Sequence, residues 1–296
     1  DEGNVYIFDG GDDRLVSFAA DGSFRWSAGG PGQGPGEFGG AEGMAWNGAS
    51  TIYVTNGRGA RVDFWSTDGE FIESRAISHL GFPDGSLVGV LDEHTVVLQT
   101  GSQYRAGVRV GVIDLRGEGS KVADFDIDIS SGPTESGAVM EVEIVGDSIA
   151  IGDWDSYELR FFSREGELQR VVTRSFDHMV LPPNREEMQS GLFPRSWLKP
   201  PLPLAEGRML ATVSWTDPDA LAQLRGRPEP PPFEEVRATS RSSFDLFDAG
   251  GRYLTSVLEE DVSIGNADEV DAQGRLYTVA TDPYPHVRRY RVVIEQ

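Results

Sequence analysis

Carboxylates dominate the chemistry open to this chain. Asp and Glu number 48 against 26 Lys and Arg, a formal charge of −22 over 296 residues. Glu42, Glu141 and Asp268 sit in comparable apolar segments, AEGMAW, AVMEVEIV and IGNADEV. Together they form the candidate set for a divalent metal serving hydrolysis or elimination, since hard cations take carboxylate oxygens. A second group, Asp124, Asp126 and Asp128 in DFDIDI, places alternate carboxylates on one face of a strand. A solvated edge that discourages sheet-to-sheet pairing is expected there ahead of a calcium site. His79, His94, His178 and His286 lack metal-ligand spacing, and no nucleophile motif such as GxSxG accompanies them. The glycine-rich GGPGQGPGEF at 29–38 suggests a phosphate cradle by composition. No helix pattern follows to supply a positive end, so a structural connection is expected instead. The aromatic alternative is a docking surface: Trp154, Phe193, Arg195, Trp197, Leu198 and Trp215 combine the side chains most enriched at binding hot spots.

The elements that must position these residues are short strands. One strand type recurs as NVYIFD (4–9), TIYVTN (51–56), TVVLQT (95–100), SIAIGD (148–153), RMLATV (208–213) and RLYTVA (275–280). A second follows each of them: RLVSF, RVDFW, VRVGVI, YELRFF, SFDLF and HVRRY. Turns at Asp21-Gly22, Asp68-Gly69, RGEG, Glu165-Gly166 and AGG lead into third strands from Phe24, Phe71, Val122, Leu168 and Tyr253. The segments before each repeat, AEGMAW, SLVGVL, AVMEVEIV, LPLAEG (202–207) and IGNADEV, supply the remaining strand. A period of about 49 residues fits a four-stranded propeller blade. The 36 Gly and 17 Pro are what so many turns require.

The hYhxD pattern, four spacers, Rhxx(F/W), DG and then GG-PGxGPGEF, running from Val5 to Phe38, resembles the NHL-type six-bladed β-propeller repeat. The second repeat keeps the pattern with Asn56 and Arg61 in place of Asp9 and Arg14, and the later ones keep only the hydrophobic rhythm. The resemblance implies a single all-β domain over residues 1–296: six four-stranded antiparallel blades, the first and last each lacking a strand. An upstream segment of roughly 25 residues completing those two blades is expected, because an open blade leaves unpaired edge groups. Six-bladed lactonases and lyases hold a metal on the channel axis, which would place Glu42, Glu141 and Asp268 at the channel mouth.

Two segments break the rhythm, 177–203 and 217–241. Both belong to the fifth blade, and both are expected to leave by one face, since connections of this length are functional or disordered. The first carries Phe193, Arg195, Trp197 and Leu198; the second, with RPEPPP at 227–232, reads as a mobile arm or an extended strap. Between Leu168 and Arg241 ten Arg and Lys face nine Asp and Glu, so this sector is near neutral on an acidic chain. The alternative use of Trp197 and Phe193 is a small core internal to the first insertion.

The charge argues against a nucleic-acid backbone and an anionic lipid surface, both of which require clustered Lys and Arg. No apolar run reaches the roughly 18 residues that span a bilayer, so direct membrane insertion is not expected. With no Cys there is neither a disulfide nor a thiolate metal site, and no cofactor is expected. The function expected is non-catalytic: a scaffold that docks a protein partner through the fifth blade, as an extrinsic subunit of a larger, membrane-associated assembly. NHL-like bacterial propellers are commonly exported, which implies a periplasmic or cell-surface location. A metal-dependent hydrolase or lyase is the alternative, and carbohydrate binding through the tryptophans is a further one.

Overall fold

The computed structural model describes residues 3–101, 108–127, 142–152, 156–177, 196–225, 227, 231–232, 235–236, 238–258, 269–271, 274–280 and 286–291. The protein is an all-β propeller of antiparallel blades, four-stranded where complete. The chain contacts divide it into two compact units, the first holding residues 1–102, 107–127 and 164–166, the second holding the rest.

In the first unit, β1 (Val5–Asp9), β2 (Arg14–Phe18) and β3 (Phe24–Gly29) pair in sequence order. The next sheet runs β4 (Gly43–Trp46), β5 (Thr51–Asn56), β6 (Arg61–Ser66) and β7 (Phe71–Ala76). The third runs β8 (Ser86–Asp92), β9 (Thr95–Thr100), β10 (Val108–Asp114) and β11 (Ser120–Ile127). In the second unit β12 (Val142–Val145), β13 (Ser148–Gly152), β14 (Glu158–Phe162) and β15 (Leu168–Thr173) make one sheet. The fifth contains β16 (Ser196–Leu198), β17 (Leu202–Pro203), β18 (Met209–Thr216), β19 (Ser240–Phe247) and β20 (Tyr253–Leu258). The chain's last sheet is β21 (Glu269–Val270), β22 (Arg275–Ala280) and β23 (His286–Arg291).

The expected count of six blades is corrected. The structure shows five blades rather than six. The first and last sheets have three strands each among the described residues, as expected of blades that each lack one. The inner strand of the fifth sheet also departs from expectation. It is split into β16 and β17, both on β18, and Ala205–Gly207 is a 3-10 turn rather than the end of a strand. Pro200 and Pro201 explain the split, because proline has no N–H to give the ladder.

Burial follows the strand period. The middle strands carry the core: all eight residues of β18 are buried, as are Ile52 to Asn56 of β5. Outer strands expose alternate residues, as in β7 and β15. Close backbone approach explains one glycine in particular. A Cβ on Gly152, at the end of β13, would lie 2.1 Å from the carbonyl oxygen of Leu198, so β16 can lie against β13 only because residue 152 has no side chain.

Candidate functional site

The glycine-rich connection is fixed from below by polar side chains of the second sheet. Arg61, the first residue of β6, donates to the carbonyl oxygens of Gln33 (3.0 Å) and Glu37 (2.9 Å). Asn56 accepts from Gly39 N (2.9 Å) and donates to the Glu37 carbonyl (2.8 Å). Phe38, fully buried, stacks on Trp65 at 5.3 Å and meets the edge of Phe8 at 5.0 Å. The loop thus turns carbonyls toward a guanidinium, the opposite polarity from the N–H array a phosphate needs. Gly29, at φ 92°, allows the fit, since a Cβ there would stand 2.3 Å from the Phe38 ring.

Beneath that clamp lies a fully buried carboxylate, Asp63 on β6. It accepts from Asn56 Nδ2 (2.6 Å), from Arg61 Nε (2.9 Å) and from the Ser74 hydroxyl. The fifth sheet repeats the device. Asp245 on β19 is also fully buried; it accepts from the Tyr157 hydroxyl (2.5 Å), from Ser256 (2.5 Å), from Ser243 (3.2 Å) and from the Arg174 guanidinium. The register equates them, Asp63 opposite Ser74 and Asp245 opposite Ser256. Where the second sheet has Arg61 two residues before the aspartate, the fifth has Ser243, and the cation is instead Arg174, just after β15. Burial, reinforced by the Asp245 charge, pushes the Tyr157 hydroxyl well above its ordinary range, so it remains a proton donor to Asp245. Arg174 lies over the Tyr253 ring at 4.2 Å and near Phe176 at 5.3 Å. Each charge is hydrogen-bonded within its cluster, which marks both clusters as structural pins between strands.

The residues expected to form a docking surface separate into layers. Trp154, Phe193 and Arg195 lie outside the described residues. Trp197 is on β16, its backbone opposite Ser214. Leu198 and Trp215 are buried in a core with Tyr157, Leu159, Phe161 and Phe247, and Trp215 meets Phe176 edge-on at 5.3 Å. These two side chains are therefore floor, not surface. The register places Ser196, within the first insertion, opposite Trp215, while Ser240, near the end of the second, pairs with Thr216. Both insertions thus reach the sheet at the same end of β18.

The described residues of the second insertion are anchored at its base. It opens with α1 (Pro218–Arg225), whose Leu221 and Leu224 are buried. Asp217 caps it, its carboxylate accepting from the amides of Asp219 and Ala220 at 3.0 Å each. Pro218 at the first helical position has no amide to leave unsatisfied. Arg227 pairs with Glu235, and the Asp217 amide donates to the Thr239 carbonyl at 2.8 Å, which closes the base.

Of the candidate metal ligands, Glu42 is exposed and its amide donates to Thr55, whereas Glu141 and Asp268 lie outside the described residues. Among the described residues no group of three His, Cys, Asp or Glu converges on a metal position. Asp124 is held by Arg109 (2.6 Å) and Lys121 (2.6 Å), which draw its carboxyl down to about 2. Asp126 is exposed, and Asp128 is outside the described residues. His79 and His94 are exposed and far apart in sequence, His286 accepts from Arg288 Nε (3.0 Å), and His178 is outside the described residues.

No protein-family model matches the sequence, and no curated protein matches it. The chain is similar in structure to a member of the DUF4221 family from Bacteroides vulgatus, with a TM-score of 0.61 and 12% identity over 98% of this chain and 90% of that one. A protein from Bacteroides fragilis named as exported is similar at TM-score 0.57 and 12% identity, over 94% and 77% of the two chains. The β-propeller domain of Swd1 from Myceliophteria thermophila aligns over 99% and 97% at TM-score 0.42 and 10% identity. At such identities the likeness speaks to fold alone. Among the described residues no helix is long and apolar enough to cross a membrane.

Proposed function

We propose that this chain is a non-catalytic propeller that docks a protein partner over the end of the fifth sheet where both insertions arrive. The observation that carries the reading is the register of β18: Ser196 opposite Trp215 and Thr216 opposite Ser240 bring the two irregular segments to one place. A capped, leucine-anchored helix at that place is a built platform. Ordering a segment before binding removes part of the entropy cost of association. Trp154, Phe193, Arg195 and Trp197 are the contact residues in this reading, and buried Leu198 and Trp215 support the sheet beneath the site.

The extrinsic-subunit role in a larger assembly is the form of docking this reading takes. The name of the Bacteroides fragilis structural neighbour, given as an exported protein, fits an extracytoplasmic location. The test is replacement of Trp197 and Arg195 together by Ala, followed by quantitative co-purification from the native cell envelope. Loss of the partner at unchanged folding is the expected result. Recovery equal to the unaltered protein would overturn the docking site.

A further inference from the structure

β20 differs from the other described outer strands. β3 carries Arg25, β7 carries Glu73 and Arg75, β11 carries Lys121, Asp124 and Asp126, and β15 carries Arg170, whereas β20 reads Tyr-Leu-Thr-Ser-Val-Leu with no charge. It ends its sheet, and among the described residues nothing pairs with its outer side. Tyr253, Leu254, Val257 and Leu258 are 38%, 39%, 38% and 40% exposed. The register sets Val257 against Phe244 and Leu258 against Ser243, on opposite faces, so both faces of this edge carry an apolar side chain. Proteins ordinarily blunt such an edge with Lys, Pro or an inward charge, and here none is present. The strand is also held rigid from within. Ser256 donates to buried Asp245, Arg174 donates to Ser256 at 3.2 Å, and Tyr253 meets Phe247 edge-on at 6.0 Å.

We infer that β20 is a strand-addition edge that takes an extended segment of a basic protein partner, main chain pairing with main chain. This rests on the docking reading above and supplies the partner's chemistry. Charge decides the occupant. A second copy would bring another −22 to the contact, whereas a cationic partner is drawn in by the same field. The guanidiniums beside the strand are already engaged, Arg174 with Asp245 and Arg252 with Asp248 at 3.1 Å. The uncharged strand then supplies the ladder, and its apolar side chains take alternate side chains of the guest.

The experiment uses the full chain and three fluorescein-labelled peptides: KTVTVTVK, its Glu-flanked form ETVTVTVE, and KTVPVPVK, whose prolines cannot pair. Anisotropy is read at low and physiological salt. The expected result is binding of the first peptide alone, weakened by added salt and weakened at least about tenfold by V257K. L258K, on the opposite face by the register, is the second variant, and each is checked for native circular dichroism. Failure of the first peptide to bind, equal affinity for the Glu-flanked form, or binding indifferent to both folded variants would overturn the inference. A dimer in sedimentation that V257K dissolves would overturn it too, in favour of a second copy. Failure of the underlying reading looks different. If the Trp197 and Arg195 substitutions abolish native partner recovery while V257K leaves it intact, docking through the insertions stands and the β20 edge does not.

Discussion

Asp63 and Asp245 occupy one repeat position in two sheets, and each is satisfied by a different set of donors. A carboxylate at 0% exposure is tolerable only when its lone pairs are filled and a cation is near. Arg61 serves the first from its own strand; Arg174 serves the second from the strand end of the preceding sheet, so Asp245 joins two sheets where Asp63 joins a sheet to a loop. Removing one partner of a buried pair strands the other's charge, and Asp245→Ala is expected to cost about 3–5 kcal/mol in urea unfolding. Tyr157→Phe removes a single donor and is expected to cost about 1–3 kcal/mol. A loss below about 1 kcal/mol for Asp245→Ala would mean that water reaches the site and that the cluster is no pin.

At the level of the element, β10 and β11 show what the acidic outer strand does. Asp124 is drawn to about 2 by its hydrogen bond with Arg109 and by Lys121, against an ordinary value of 3.8. A depressed folded value stabilises the native state above the unfolded pKa, and the contribution is lost as pH falls from roughly 4 to roughly 2. Asp124→Asn is therefore expected to reduce stability by about 1 kcal/mol or less near pH 6. Near pH 2 the variant and the unaltered chain should unfold alike, and a difference persisting there would assign the effect to packing. The strands themselves were legible in sequence, because β-branched and aromatic runs at a fixed period, cut by Asp-Gly turns, leave little choice of element. Other features were less visible. The inner strand of the fifth sheet falls earlier than LPLAEG suggests, because SWL finds free positions on long β18 while two prolines interrupt the ladder. α1 was hidden by the proline-rich residues after it, although Asp217, Pro218 and the leucines at 221 and 224 spell a cap, a first turn and a buried stripe. The buried aspartates gave almost no signal, since an acid in a strand reads as a solvated face. Only the Ser eleven residues beyond each one betrays the pair. Of the six residues proposed for docking, Leu198 and Trp215 are core, a burial that aromatic and apolar composition alone does not distinguish from a surface.

Over the whole molecule the excess of 22 negative charges acts in two directions that salt can separate. Within the chain, like charges repel, and this self-repulsion weakens the compact state. The Arg–carboxylate pairs oppose it, but most are partly exposed, as in Arg14–Asp9 and Arg116–Asp114, and such pairs contribute little each. Buried Asp63 and Asp245 are screened least, because ions in solution do not reach them. Raising ionic strength from about 0.02 to about 0.2 M is therefore expected to raise the melting temperature, since screening relieves repulsion more than it weakens the pairs. Association with a cationic partner should respond oppositely, its on-rate falling over the same interval because long-range attraction is what salt removes. Measured together by thermal circular dichroism and stopped-flow binding, the two trends must diverge. A melting temperature that falls with salt would show that surface ion pairs outweigh net repulsion. A binding rate that rises with salt would mean that the partner shares this protein's sign of charge, and the basic guest assigned to β20 would then have no electrostatic basis.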